Sequence, residues 1–305
     1  MFFKKEKRMK FQGIMPALAT PLKEDETVNL FVLRELIEFF LNKGACGFYL
    51  AGATGEGLSL NPDQRRLLAE SAVKQVNGRV PCIVQVASTD FGEAMRLAKH
   101  AESIGADAIS STPPIFFRYD EDDVYNYYKK LSGAVHIPMM IYNSPLAGFP
   151  ITPAFAARMF EIDNVTSIKW TSSDYFGLMH LKQLTHGEMQ VMNGPDEMLL
   201  MGLSAGADGG IGTTYNFMFS HFLSVYKAFR AGDMEKAQEY QNKITAIIGA
   251  LRTVKACPSI PATKALLEEM GFAAGDAAFP QKKLSPEKKQ ELIATLSKAG
   301  WNREL

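Results

Sequence analysis

Val165-Thr166-Ser167-Ile168-Lys169, Met189-Gln190-Val191-Met192-Asn193 and Ala207-Asp208-Gly209-Gly210-Ile211-Gly212 are three short apolar runs that recur at intervals in the second half of the chain. Each has the length and composition of a buried strand, and longer amphipathic stretches separate such runs. Working outward, the same alternation fills the first half. Candidate strands fall at 13–18, 46–51, 81–87, 106–110 and 138–142, with helical patterns at 30–42, 62–76, 92–104 and 121–131. Leu33, Leu36, Ile37 and Phe40 share one helix face, and the spacing predicts that this face is buried. Asn61 before Pro62 reads as an N-cap followed by a first-turn proline.

Repeated strand–helix units imply a parallel sheet covered by helices. Eight of them in one chain close most simply into an α/β architecture, the (β/α)8 TIM barrel. An open doubly wound sheet is the rival, but no glycine-rich dinucleotide fingerprint follows the first strand. Further helical patterns follow the eighth strand, at 216–230, 234–254, 258–270 and 286–299. The first completes the barrel and the rest form a C-terminal helical extension. The expected organisation is a flexible N-terminus over 1–10, the barrel over 11–231, and an extension over 232–305 packed on it.

Bulk properties narrow the function. The chain has 305 residues, 47% of them apolar, and 33 basic against 33 acidic side chains. A zero formal charge argues against a nucleic-acid or membrane-surface partner, which would need a basic footprint. The three cysteines, Cys46, Cys82 and Cys257, form no CxxC pair, which suggests reduced thiols and a cytoplasmic location. Cys46 and Cys82 sit in apolar runs and are expected to be buried. The start, MFFKKEKRMK, lacks the apolar core of a signal peptide. The five histidines lack metal-ligand spacing, so no catalytic metal is expected.

Barrel active sites are built at the C-terminal strand ends. That places Lys169, Tyr142, the Gly52–Gly57 turn and Asn193-Gly194-Pro195-Asp196-Glu197 on a shortlist. A lysine at an apolar strand end is expected to be desolvated, which favours the neutral amine that attacks a ketone. Without further context, a lysine reaching out to water is the commoner outcome. Tyr142 could exchange a proton with the reacting oxygen, or be an ordinary core-edge tyrosine. The turn could cradle a carboxylate with successive backbone N–H groups, or be a plain tight connection. Asp196 and Glu197 could cap the helix that follows, or bind the hydroxyls of a polyol.

Taken in order, these motifs resemble the family of pyruvate-dependent class I aldolases that includes N-acetylneuraminate lyase and dihydrodipicolinate synthase. The resemblance runs through Gly52-x-Thr54-Gly55-Glu56, Tyr142-Asn143-x-Pro145, Ile168-Lys169-x-Thr171-Ser172-x-Asp174, Asn193-Gly194-x-Asp196-Glu197 and 205–212. It implies that Lys169 forms an imine with a 2-oxo acid, that Tyr142 handles the proton, and that Ala53 and Thr54 lie at the substrate carboxylate. No cofactor is then needed. Within the family, the second half is most similar to the neuraminate lyase branch. There the positions of Gly194, Asp196, Glu197 and Thr213 bind a hydroxylated sugar tail, with Thr171 and Gly212 beside them. The implied reaction is cleavage of a sialic acid, N-acetylneuraminate, to N-acetylmannosamine and pyruvate, by a homotetramer. The alternatives are a 2-keto-3-deoxy sugar acid aldolase, 4-hydroxy-tetrahydrodipicolinate synthase, and a non-catalytic 2-oxo acid binder. Leu146-Ala147-Gly148 lacks the arginine usual in the synthase branch. Two departures remove hydroxyls from the family's proton relay: Ala53, and a 113–117 loop without tyrosine.

Overall fold

The computed structural model describes residues 11–303, so the segment expected as a flexible terminus, 1–10, lies outside the described residues. Eight strands run β1 Gly13–Pro16, β2 Phe48–Leu50, β3 Cys82–Gln85, β4 Ala108–Ser111, β5 Met139–Asn143, β6 Val165–Trp170, β7 Gln190–Asn193 and β8 Gly209–Gly212. Seven helices lie between or after successive strands: α1 Leu30–Lys43, α2 Pro62–Val76, α3 Phe91–Ser103, α4 Glu121–Ser132, α5 Pro153–Phe160, α6 Tyr175–Leu184 and α7 Leu199–Ser204. Four more complete the chain, α8 Tyr215–Arg230, α9 Met234–Thr253, α10 Ser259–Glu269 and α11 Pro286–Lys298.

All strand pairs are parallel, in the order β1-β8-β7-β6-β5-β4-β3-β2. A parallel bridge between Ala17 and Tyr49, with Leu18 N–H donating to Tyr49 O at 3.0 Å, joins the two remaining edges. Eight parallel strands closed in this way form the expected TIM barrel, with the helices outside it.

Alternation along each strand sorts the side chains. Ile14, Phe48, Leu50, Ile109, Ile141, Ile168 and Val191 join the core between sheet and helices. Met15, Tyr49, Ile83, Ala108, Met140, Tyr142, Met192 and Ile211 form a second cluster inside the barrel. Phe11 belongs to it too, and its backbone is held on both sides by the Gln190 carboxamide (3.1 and 3.3 Å). Lys169 is the register partner of both Tyr142 and Met192. The three side chains therefore share one layer and one direction, because residues in register point to the same face of a sheet. This rule carries Lys169 into the barrel.

The helix signals are obeyed at the first two helices. Asn61 accepts the Gln64 N–H at 2.9 Å ahead of Pro62, and α1 buries Leu33, Leu36, Ile37 and Phe40. Most strands are shorter than the apolar runs that announced them, whereas β6 continues through Trp170. Cys82 is buried as expected, but Cys46 is only half-buried, because it precedes β2 in the connection from α1. The last helices are tied back to the barrel: α9 and α10 contact α8, and α11 contacts α9. Trp301 is buried and donates its indole N–H to Phe217 O in α8 at 2.8 Å. Trp301→Ala removes a large buried ring and its hydrogen bond; equilibrium denaturation is expected to show a loss of about 3–5 kcal/mol.

Candidate active site

The Lys169 side chain stands in the barrel mouth with the residue only 6% exposed. Its Nζ lies 4.5 Å from the Tyr142 ring centroid and 5.0 Å from that of Tyr49. The two rings meet edge to face, 5.9 Å apart. Tyr49 is fixed from below: its hydroxyl donates to Ser110 Oγ (2.9 Å), which donates to Met140 O (2.9 Å). Burial, and next the nearby Tyr142 phenol, push the Tyr49 hydroxyl well above its ordinary pKa, so it remains a neutral donor. The sequence shortlist omitted Tyr49. The signal was present, since Phe48 and Leu50 face the helices and the residue between them must face inward.

Ala53, Gly52, Gln85, Thr112, Tyr142, Ser144 and Gln281 are among the residues lining one cleft, with a volume of about 160 Å³. The glycine-rich turn forms its floor. Gly57 allows the chain to fold back on itself, because a Cβ there would lie 1.9 Å from Ala51 O. The turn is held by side chains as well as by sterics. Thr20 Oγ1 donates to Gly55 O at 2.7 Å, and the Thr54 and Thr213 hydroxyls are 2.7 Å apart. Two residues singled out for substrate binding, 159 positions apart in the sequence, are thus hydrogen-bonded to each other. Ala53 offers no side-chain donor. In the 113–117 loop, Ile115 lines the cleft while Phe116 and Phe117 are 89% and 69% exposed. The loop tip does not pack on its own barrel.

The acids after β7 have separate environments. Asp196 is buried, and its Oδ2 accepts both the backbone N–H and the hydroxyl of Thr214, each at 2.7 Å. Gly212 makes room for it: a Cβ there would lie 2.0 Å from Asp196 Oδ1. Glu197 instead forms an ion pair with Arg252 of α9. Neither acid caps a helix through its side chain, but both lie in the first turn of the short helix after β7, where negative charge favours the dipole. Thr171 and Gly194 sit side by side past β6 and β7, where a Cβ on Gly194 would meet Thr171 Oγ1 at 2.1 Å. Thr171 Oγ1 itself is buried without a hydrogen-bond partner among the described residues. Thr214 and Arg252 were invisible as site residues in the sequence, because only the fold brings them to the acids. Among the described residues no group of three or more His, Cys, Asp or Glu side chains is placed to hold a metal ion.

Burial pushes the Asp196 carboxyl up to about 6, against the opposing effects of the Thr214 hydrogen bonds and the Lys169 charge. The folded protein therefore holds this proton more tightly than the unfolded chain, whose carboxyl titrates near 3.8. Stability from this group is complete below that value and is lost as pH rises through about 6. Asn at this position keeps an acceptor for Thr214 without a charge. In thermal melts between pH 3.5 and 7.5, wild type is expected to lose stability relative to Asp196→Asn up to about pH 6, with a constant difference beyond it. A flat difference across the range would contradict this.

Comparison with known proteins matches this arrangement to a family. The model of the dihydrodipicolinate synthetase family matches residues 10–299. An N-acetylneuraminate lyase from Rhizobium meliloti (strain 1021) is 33% identical over 276 residues, spanning 90% of this chain and 91% of that one. Among solved structures, Proteus mirabilis N-acetylneuraminate lyase superposes with a TM-score of 0.90 at 26% identity, covering 96% of this chain and 100% of that one. A prophage protein of the dihydrodipicolinic acid synthase family from E. coli K12, solved in complex with pyruvate, also gives 0.90 at 26% identity, over 96% and 99%. With a barrel of the same topology and a match along nearly its whole length, the chain belongs to the dihydrodipicolinate synthetase family.

Proposed function

We propose that this family member is a Schiff-base aldolase that cleaves N-acetylneuraminate to N-acetylmannosamine and pyruvate, with Lys169 as nucleophile and Tyr142 as proton carrier. The observation that carries the reading is the buried Lys169 amine set 4.5 Å from the ring of its register partner Tyr142. An amine and a phenol held side by side at a barrel mouth are the two groups that imine-based carbon–carbon cleavage requires.

In this mechanism Lys169 Nζ adds to the ketone carbon, and water leaves to give a protonated imine. Tyr142 takes the proton of the hydroxyl on the carbon beyond the scissile bond. That bond breaks, its electron pair moves into the iminium, and the aldehyde departs. Protonation of the enamine and hydrolysis release pyruvate and restore the amine. The iminium is the electron sink, so no cofactor takes part. Backbone N–H groups at Ala53 and Thr54 would hold the substrate carboxylate. Thr171, Gly194, Asp196, Glu197, Gly212 and Thr213 would meet the hydroxylated tail. The lyases of similar sequence support the sugar-acid substrate, and the pyruvate complex of a neighbouring structure supports the 2-oxo acid end.

A shorter 2-keto-3-deoxy sugar acid is the second reading. The engagement of Glu197 by Arg252 favours it, since an ion-paired acid is less free to accept a hydroxyl of a longer tail. The synthase reaction fits less well, since Leu146-Ala147-Gly148 supplies no arginine for a second carboxylate. The reading includes a homotetramer, for which the exposed Phe116 and Phe117 give support. It places the enzyme in the cytoplasm, in keeping with three unpaired cysteines. No helix among the described residues is long and apolar enough to cross a membrane.

Borohydride reduction in the presence of pyruvate is expected to add one reduced pyruvate unit, mapped to the peptide carrying Lys169, and to add none to Lys169→Ala. An adduct of equal yield in the variant would refute the imine mechanism, and a wild type without adduct would leave only a binding protein. Tyr142→Phe is expected to retain trapping while kcat for N-acetylneuraminate cleavage falls about 10²–10⁴-fold, the usual contribution of a positioned acid–base group. Unimpaired pyruvate release by that variant would remove Tyr142 from the chemistry.

A further inference from the structure

Gln281, beyond α10, belongs to none of the motifs, yet it lines the same cleft as Ala53, Tyr142 and Ser144. Its backbone N–H donates to Ala278 O at 3.1 Å, and its side-chain Nε2 donates to Glu56 Oε2 at 3.4 Å. The same Oε2 accepts the Ala278 N–H at 2.6 Å. The other carboxylate oxygen faces Lys264 of α10, with Nζ at 2.6 Å and both side chains 1% exposed. Lys264 Nζ also donates to Asp276 O at 2.8 Å. A buried ion pair thus joins the glycine-rich turn of the barrel to the 276–281 segment.

This anchoring sets the polarity of the Gln281 amide. An ionised carboxylate can only accept hydrogen bonds, so the carboxamide must turn its NH2 to Glu56. Its carbonyl oxygen is then left to the cleft, as an acceptor. Such an atom accepts from a hydroxyl or an acylamino N–H, the donors a sugar acid carries along its chain.

We propose that Gln281 is a specificity-determining residue that accepts a hydrogen bond from a hydroxyl or acylamino group of the bound sugar acid, and that the Glu56–Lys264 pair is its positioning device. The proposal rests on the sugar-acid aldolase reading. It makes the C-terminal segment a working wall of the site.

Gln281→Met preserves length and bulk but removes the acceptor, and the half-buried position makes it a safe substitution for folding. In steady-state cleavage of N-acetylneuraminate it is expected to raise KM about tenfold, the loss of one net hydrogen bond. The kcat and the half-saturating pyruvate concentration in borohydride trapping should stay close to wild type. An unchanged KM, or an equal rise in half-saturating pyruvate, overturns the proposal. Glu56→Gln combined with Lys264→Met leaves no buried charge unpaired and frees the amide to flip. The pair is expected to raise KM by a similar factor, with no further rise when Gln281→Met is added. Additive effects would refute the positioning role. Absence of any pyruvate adduct on wild type is a separate result, and it would overturn the aldolase reading itself.

Discussion

The placement of one amine governs this structure. In the proposed mechanism Lys169 must be deep enough to lose its water and still reach a substrate, and a strand-end position inside a closed barrel is where both hold. The parallel register aligns it with Tyr142 on one side and Met192 on the other. Two ring faces, Tyr142 and Tyr49, then occupy the space that water would take. The Tyr49–Ser110–Met140 hydrogen-bond chain keeps the second ring from turning away. Each of these contacts depends on neighbouring strands meeting at a fixed height, so the geometry of the amine is a property of the whole sheet.

The loops around it are held from outside the barrel. Local turn chemistry bends the 52–57 segment, but its position relative to β8 depends on the Thr54–Thr213 contact, and relative to the last helices on the Glu56–Lys264 pair. Removing one member of a buried ion pair costs about 3–5 kcal/mol, because the remaining charge has no compensation. The turn is therefore locked to segments more than 150 positions away, as a loop proposed to hold a substrate carboxylate requires. Short-range hydrogen bonds alone would let it breathe with its own helix.

This dependence also explains what the sequence disclosed. Short apolar runs between longer amphipathic stretches revealed all eight strands, and ordered motifs pointed to Lys169 and Tyr142 as the pair in the mouth, because both signals are local. The shorter helices escaped explicit placement: α5, α6 and α7 have eight, ten and six residues, too few for a persistent amphipathic pattern. Asp196 and Glu197 were visible as acids, but which would be buried depended on Gly212 and Thr214, and which would be ion-paired on Arg252. Cys46 looked buried because its neighbours are apolar, yet it lies before the strand begins. Gln281 carried no signal, since its relation to Glu56 spans 225 positions and no local pattern encodes such a contact.

The distribution of charge at the mouth follows from the same long-range contacts. A site that takes the proposed anionic sugar acid and also contains Glu56, Asp196 and Glu197 would repel that ligand if all three acids faced it unpaired. Each is answered differently. Lys264 of α10 neutralises Glu56, and Arg252 of α9 neutralises Glu197. Among the described residues Asp196 has no cation of its own beyond the field of Lys169; burial raises its pKa, and Thr214 binds one of its oxygens. Both dedicated cations come from the helices that follow the eight barrel units. A bare barrel with these strand-end residues would present acids to an acid. With α9 and α10 in place, the field at the mouth is left to Lys169 and the N–H groups of the turn, and the C-terminal helices become part of the electrostatics of the site.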